Sequence, residues 1–144
     1  MKQFIKHFTE KFDYRHVKKI GRRYYYAQTD IAQLPKCIFA AGIYLGEEKV
    51  RRGKSTFLPS PALIDLISKT SKRKAIITKE AEWLFLCGRD VFTKSIVKSL
   101  IPEGLVLVQN ESDENLGYGK IIKGKQGLMI QNILDKGAYL RMER

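Results

Sequence analysis

The sequence predicts an α+β protein, with a small N-terminal α/β domain over residues 1–72 and a C-terminal domain over 73–144 in which short strands curl into a small barrel. Three observations carry this. The polar, basic stretch Ser68–Lys74 (SKTSKRK) separates a helix-and-strand pattern from a run of short strands punctuated by Gly and Pro. The 44 % apolar and 29 % charged shares are those of a chain that buries a core. A length of 144 residues accommodates one ordinary domain or two small ones.

The elements follow in order. Phe4, Ile5, Phe8 and Phe12 recur at helical spacing, with His16 and Ile20 continuing the row, so an opening helix is expected to run as far as Gly21. Arg22 and Arg23 lead into Tyr24, Tyr25 and Tyr26, which favour a strand. Thr29 and Asp30 suit the cap of a short helix ending before Pro35, and Cys37–Leu45 reads as a buried strand. Ser60 before Pro61 starts a helix, since serine caps and proline at the first position forfeits no needed N–H. Its apolar stripe is Leu63, Ile64, Leu66 and Ile67. Beyond the boundary, strands are expected over Ala75–Thr78, Glu82–Leu86, Leu105–Gln109, Gly117–Ile122, Leu128–Ile130 and Ala138–Arg141, with one helix over Asp90–Leu100. Strands at this spacing point to a closed or partly closed barrel.

The net charge of +12 attracts polyanions, which makes nucleic acid or an anionic membrane surface the first partner class. Apolar runs fall short of the ~18–20 residues a membrane span needs, and charges interrupt the first twelve residues, so neither a spanning helix nor a signal peptide is expected. Cys37 and Cys87, fifty positions apart, suit two reduced, packed thiols in a cytoplasmic compartment.

The sequence offers no catalytic constellation. The stretch Gly46–Ser55 (GEEKVRRGKS) ends like a phosphate-binding loop, but six residues separate its glycines where four are needed, and Pro59 follows where a helix should run. A basic hairpin turn is expected there instead. His7 and His16 stand nine apart, and no cysteine pair has zinc spacing. Apolar neighbours raise rather than lower a thiol pKa, and Glu111, Asp113 and Glu114 read as a solvated turn. The sequence therefore predicts a protein that is not an enzyme and that uses no cofactor or metal.

Basic residues interleaved with aromatics are the positive signal. Lys18, Lys19, Arg22 and Arg23 precede the three tyrosines, and Lys49, Arg51, Arg52 and Lys54 form a second cluster. Such groups neutralise phosphates while rings stack on unpaired bases. The same residues also read as half-buried strand tyrosines and solvated loops, and the sequence leaves both readings open.

Lys74–Leu100 (KAIITKEAEWLFLCGRDVFTKSIVKSL) and Glu103–Lys120 (EGLVLVQNESDENLGYGK) together resemble a PUA domain, the small RNA-binding pseudo-barrel of pseudouridine synthases and archaeosine transglycosylases. The matching order is a strand, a Phe-Leu-x-Gly-Arg turn at Gly88, a Gly-started apolar strand, a polar turn, then Gly117 and Gly119. Ile133–Arg141 is similar to the family's final short helix and strand. Over about residues 20–144 the chain resembles the Nip-seven type of ribosome-biogenesis factor, with residues 1–23 departing from that pattern.

The resemblance implies a C-terminal PUA pseudo-barrel and non-catalytic RNA binding in rRNA processing and large-subunit assembly, with rRNA or uridine-rich single strands as ligand. It implies RNA contacts from Arg141, Arg144 and Lys136 near the end of the domain, and from Arg89, Lys94 and Lys98 around the Gly turn. The acidic Glu111–Glu114 loop is then expected to face away from RNA. Apart from the resemblance, the basic clusters that include Arg22 and Arg23 either extend the RNA surface beyond that domain or reflect a general excess of positive charge. The implied protein is a cytoplasmic, or in a eukaryote nucleolar, monomer without membrane contact, meeting ribosome-assembly or RNA-processing proteins. The rival readings are a PUA-bearing RNA-modification protein and a scaffold that recruits an RNA-processing enzyme. Residues 1–72 hold 15 basic and 6 acidic side chains, residues 73–144 only 12 and 9, so most of the excess lies outside the implied RNA module.

Overall fold

A computed structural model describes residues 1–28, 42–124, 127–138 and 141. Its contacts divide the chain into two compact units, Met1–Thr70 and Ser71–Arg144. The architecture is mixed α+β, as expected.

The first unit contains α1 (Lys2–Phe8), β1 (Val17–Ile20), β2 (Arg23–Tyr26), β3 (Ile43–Arg51), β4 (Lys54–Pro59) and α2 (Pro61–Ser68), with the strands in one antiparallel sheet ordered β1-β2-β3-β4. The opening helix stops at Phe8, far short of Gly21. Asp13 takes the Arg15 N–H at 2.9 Å and turns the chain, after which Val17–Ile20 pairs in register with Arg23–Tyr26. The apolar row reached His16 and Ile20 because residues four apart share a face in helix and strand alike; His16 lies in the turn before β1, Ile20 ends β1, and pairing with β2 decides the conformation. Tyr25 is buried while Tyr24 and Tyr26 are partly exposed, the alternation expected of a strand with one covered face. The core joins Ile5 and Phe8 of α1, Tyr25, Leu45, and Leu63, Ile64 and Ile67 of α2. Leu66 is only partly buried. The expected helix at Thr29–Asp30 and the stretch from Cys37 to Ala41 lie outside the described residues, and the strand expected to end at Leu45 is seen as Ile43–Arg51.

α2 begins as the Ser60-Pro61 pair requires. Ser60 Oγ accepts the Leu63 N–H at 3.2 Å and donates its own proton to the Tyr44 carbonyl at 2.6 Å, anchoring the helix to β3.

The second unit contains β5 (Lys74–Ile77), α3 (Lys79–Leu86), β6 (Val91–Phe92), a 3-10 turn (Thr93–Ser95), β7 (Ile96–Ser99), β8 (Gly104–Gln109), β9 (Asn115–Gly124) and β10 (Gly127–Asp135). Its sheet is ordered β6-β10-β9-β8-β5-β7, antiparallel except where β5 lies parallel to β8. β6 and β7, the two edges, are joined by only the three residues Thr93–Ser95. Flat, those edges would stand about 24 Å apart, five spacings of ~4.8 Å, whereas the four peptide steps from Phe92 to Ile96 reach at most ~14 Å. The sheet is therefore curled into a half-barrel. Its interior holds Ala75, Ile77, Val106, Val108, Ile121 and Ile130, with Phe85 and Ala81 entering from α3.

Two elements differ in kind from the sequence reading. Glu82–Leu86 is helix, not strand: Thr78 caps it by accepting the Ala81 N–H, Glu80 and Glu82 sit in the favourable first turn, and Ala81 and Phe85, four apart, face the core. Asp90–Leu100 is β6, a 3-10 turn and β7, not helix, because Val91, Phe92, Ile96 and Val97 gain more as edge strands than as a single helical face. The chain after β10 also reverses the expected order: Ile133 belongs to a strand, and Ala138 and Arg141 to a helical turn closed by the Arg141 N–H on the Gly137 carbonyl. At Gly117 and Gly119 neighbouring backbone leaves no room for a side chain, since a Cβ would lie 2.1 Å from the Leu134 carbonyl and 2.4 Å from that of Gln131.

Ser60→Ala removes both bonds of the cap and is expected to destabilise the first unit by about 1–2 kcal/mol, read as a lower thermal midpoint in calorimetry. Burial raises the Tyr118 phenol to about 12 from 10.0, so its stabilisation is complete below pH 10 and lost as pH rises towards 12. Ultraviolet titration should show this tyrosine ionising late, and Tyr118→Phe should remove that late step.

Candidate nucleic-acid interface

The C-terminal end of α3 organises the surface. A helix ends with carbonyls that lack partners, and here two of the last ones are taken up by side chains from elsewhere in the unit. Asn132 of β10 donates its Nδ2 to the Phe85 carbonyl at 2.7 Å, and Arg141 donates Nη1 to that of Leu86. Arg141 also grips Asp135 through both nitrogens, at 3.0 Å and 2.7 Å. The Asp135 side chain is 3 % exposed and that of Arg141 is 42 %, so the carboxylate is buried while the guanidinium keeps a solvent side. The hydrogen bond from Arg141 to Asp135 holds the guanidinium pKa above its ordinary value.

Small residues make this arrangement possible. Gly88 adopts φ +85° with the Arg141 Nη2 only 3.2 Å from where a Cβ would stand, and a Cβ on Gly137 would lie 2.1 Å from the Leu86 carbonyl. The Arg89 N–H returns to the Leu84 carbonyl at 3.0 Å, keeping the turn against the last turn of α3. Asp90 then accepts the Asn132 N–H at 2.8 Å.

On this frame the sequence-predicted residues divide. Arg89 is exposed and makes no ion pair among the described residues, so its guanidinium is available. Lys136 is exposed next to Asp135. Arg141 belongs to the same region, but its geometry is fixed by Asp135 and Leu86. Arg144 lies outside the described residues. Lys94 and Lys98 stand at the seam where the sheet edges meet, Lys98 lining a groove of about 450 Å³ with Thr93, Val97, Leu100 and Leu128. Arg22 is exposed in the β1–β2 turn, and Arg23 lies 3.7 Å from Glu47.

Sequence reasoning missed four participants. Trp83 is 71 % exposed and Leu84 52 %, both emerging from α3 away from Ala81 and Phe85. Assigning a strand there put Trp83 and Phe85 on one face; helical spacing separates them. Asp135 and Asn132 were missed because their partners are long-range, and no local spacing announces them.

The tyrosine cluster of the first unit packs instead of presenting free rings. Tyr25 is 3 % exposed, Tyr24 meets Phe57 edge-on at 5.7 Å, and Tyr26 meets His16 at 5.6 Å. Lys19 lies 2.9 Å from Glu48 and 5.1 Å above the Tyr24 ring, while Tyr24 Oη donates to Glu48; the tyrosine bond first and the lysine second hold the Glu48 carboxyl below its usual range. Cys87 is exposed, against the expectation of a packed thiol, and Cys37 lies outside the described residues. Among the described residues no cluster of three His, Cys, Asp or Glu could hold a metal, and no helix is long and apolar enough to cross a membrane.

Residues 73–144 match the UPF0113 PUA domain family. An archaeal relative described as a UPF0113 protein, from Archaeoglobus fulgidus, is 28 % identical over 86 residues, covering 53 % of this chain and 49 % of its own length. The chain thus spans about half the length of the curated relative it matches. A PUA domain implies RNA binding at the level of the family.

Arg141→Ala leaves the Asp135 carboxylate buried without its partner and uncaps Leu86. It should lower the denaturation midpoint, because the partner left behind is a buried charge. Arg89→Ala should leave the denaturation midpoint unchanged, and equal destabilisation by the two variants would contradict the separation of roles drawn here.

Proposed function

We propose, because the chain belongs to the UPF0113 PUA-domain family, that it binds an unpaired RNA segment at the α3 turn and catalyses no reaction. The observation that carries the reading is Trp83, 71 % exposed on α3, with the exposed Arg89 returning its backbone N–H to the carbonyl of the adjacent Leu84. An exposed indole offers a base a stacking surface, and a guanidinium with no carboxylate partner binds a phosphate without first breaking an ion pair. Lys136, exposed next to Asp135, adds positive charge to the same unit. Arg141 acts as a positioning residue that holds the turn in place, with its solvent side still available to an oxygen of the RNA.

The resemblance to Nip-seven proteins extends the proposal to rRNA processing and large-subunit assembly, with rRNA or uridine-rich single strands as ligand. Such a protein captures RNA electrostatically and then selects exposed bases.

Filter-binding of a single-stranded uridine-rich RNA across a salt series tests this. Arg89→Ala should reduce the log–log salt slope by about 0.7, one phosphate, while Trp83→Ala should weaken binding by ~5-fold or more with the slope unchanged. Wild-type protein that retains no RNA at low salt, or a Trp83 variant of undiminished affinity, would overturn the assignment.

A further inference from the structure

In the first unit, β3 and β4 outrun the rest of their sheet. The last β2–β3 pair is Arg23 with Glu47, yet β3 continues to Arg51, paired with β4 alone through Lys49 with Thr56, Val50 with Ser55 and Arg51 with Lys54. Every residue from 49 to 56 is exposed. The hairpin tip is therefore a two-stranded ribbon projecting beyond the sheet, with no core beneath it.

Such a ribbon is only marginally stable, so its sequence would be expected to favour pairing. It does the opposite at two places. Arg51 and Lys54 stand directly opposite each other, a like-charge pair that weakens a sheet. The two-residue turn, Arg52 at φ +51° and Gly53 at φ +74°, has the left-handed geometry that asparagine followed by glycine satisfies best, yet arginine fills its first position. Residues 49–56 hold four cations, Lys49, Arg51, Arg52 and Lys54, and no acid. Of these only Lys49 has an acidic neighbour, Glu47 at 3.5 Å; Arg51, Arg52 and Lys54 make no ion pair among the described residues. Local stability has been given up to place unpaired positive charge at a tip.

The ribbon's base continues the same charge. Arg22, whose carbonyl accepts the Glu48 N–H at 2.8 Å, lines one groove of about 630 Å³ with Arg23, Lys49 and Arg51. Glu47 and Glu48 lie in that groove as well, each already facing cations: Arg23 and Lys49 for the first, Lys19 for the second.

We propose that this ribbon is a second RNA contact that grips the phosphodiester backbone without regard to sequence. The proposal rests on the RNA-binding reading above and names the ligand chemistry of a different surface. Phosphate, not base, is its target because residues 49–56 contain no aromatic side chain on which a base could stack. An anionic lipid surface is the poorer occupant, since Val50 is the only large apolar side chain the ribbon could insert.

The test compares the whole chain with its quadruple variant Lys49→Gln, Arg51→Gln, Arg52→Asn and Lys54→Gln, in which asparagine suits the left-handed turn position. Two RNAs serve as probes, oligouridine and a mixed-sequence single strand, alongside phosphatidylserine–phosphatidylcholine vesicles. The variant should melt no lower than the wild type and bind both RNAs with log–log salt slopes shallower by about 3, near 0.7 for each lost contact. Should the variant melt lower, Arg52→Asn alone, with an expected change of about 0.7, supplies the reading free of folding effects. Slopes unchanged in a wild type that does bind RNA would overturn the ribbon contact and leave the α3 site standing, as would a loss confined to the vesicles. Failure of the wild type to bind either RNA would remove both proposals.

Discussion

Three residues between the two edge strands set the form of the second unit. A six-stranded sheet whose margins are tied by Thr93–Ser95 has to curl, and curling gives it an inside. That inside takes Val106 and Val108 of β8, while Leu107 between them is equally buried but points to the other face and lies outside that core cluster. It also fixes what α3 must do. The helix inserts Phe85 and Ala81 among the strands, and one side remains to face water, carrying Trp83 and Leu84. The outward indole is thus a consequence of how the barrel is filled.

The second unit sorts its cations by whether the fold needs them. Arg141 completes a closed set of bonds with Asp135 and the end of α3, and the two glycines beside it leave room for the guanidinium. Removing it would orphan a buried carboxylate. Arg89, Lys94 and Lys98 have no comparable duties among the described residues. A loss of RNA affinity on replacing Arg141 would therefore mix direct contact with collapse of the turn, whereas Arg89 isolates contact. Sequence position near the end of the domain could not make that distinction, because what separates the two arginines is a buried aspartate six residues before one of them and none beside the other.

Much of the architecture was legible where local chemistry and tertiary packing agree. Ser60-Pro61 announced α2 through a cap that the structure shows in atomic detail, and the Gly46–Ser55 segment formed the expected hairpin. The failures share one cause. Phe4 to Ile20 and Asp90 to Leu100 are short apolar patterns that fit helix and strand alike, and strand pairing made the choice: with β2 across a tight turn for the first, with β5 and β10, distant in sequence, for the second. Glu82–Leu86 went the other way, because a capping threonine and two early glutamates outweighed aromatic β-propensity. The site was legible as a Gly-Arg turn, but Trp83, Asp135 and Asn132 were not, since their roles appear only once α3 is a helix with a C-terminal end to be closed.

The uneven charge of the two halves now has a structural cause. Part of the first unit's basic excess is spent internally: Lys19 on Glu48, Arg23 and Lys49 on Glu47, Arg15 on Asp13. Of the cations that remain, Arg51, Arg52 and Lys54 crowd the overhanging hairpin, where neither packing nor an acidic neighbour calls for them. Solubility alone would be served by lysines scattered over any exposed face, without a like-charge pair across a strand or an arginine in a left-handed turn. The cost in local stability is therefore the informative part. A net charge of +12 describes the whole chain, but only cations held where the fold gains nothing from them identify a surface built for a polyanion.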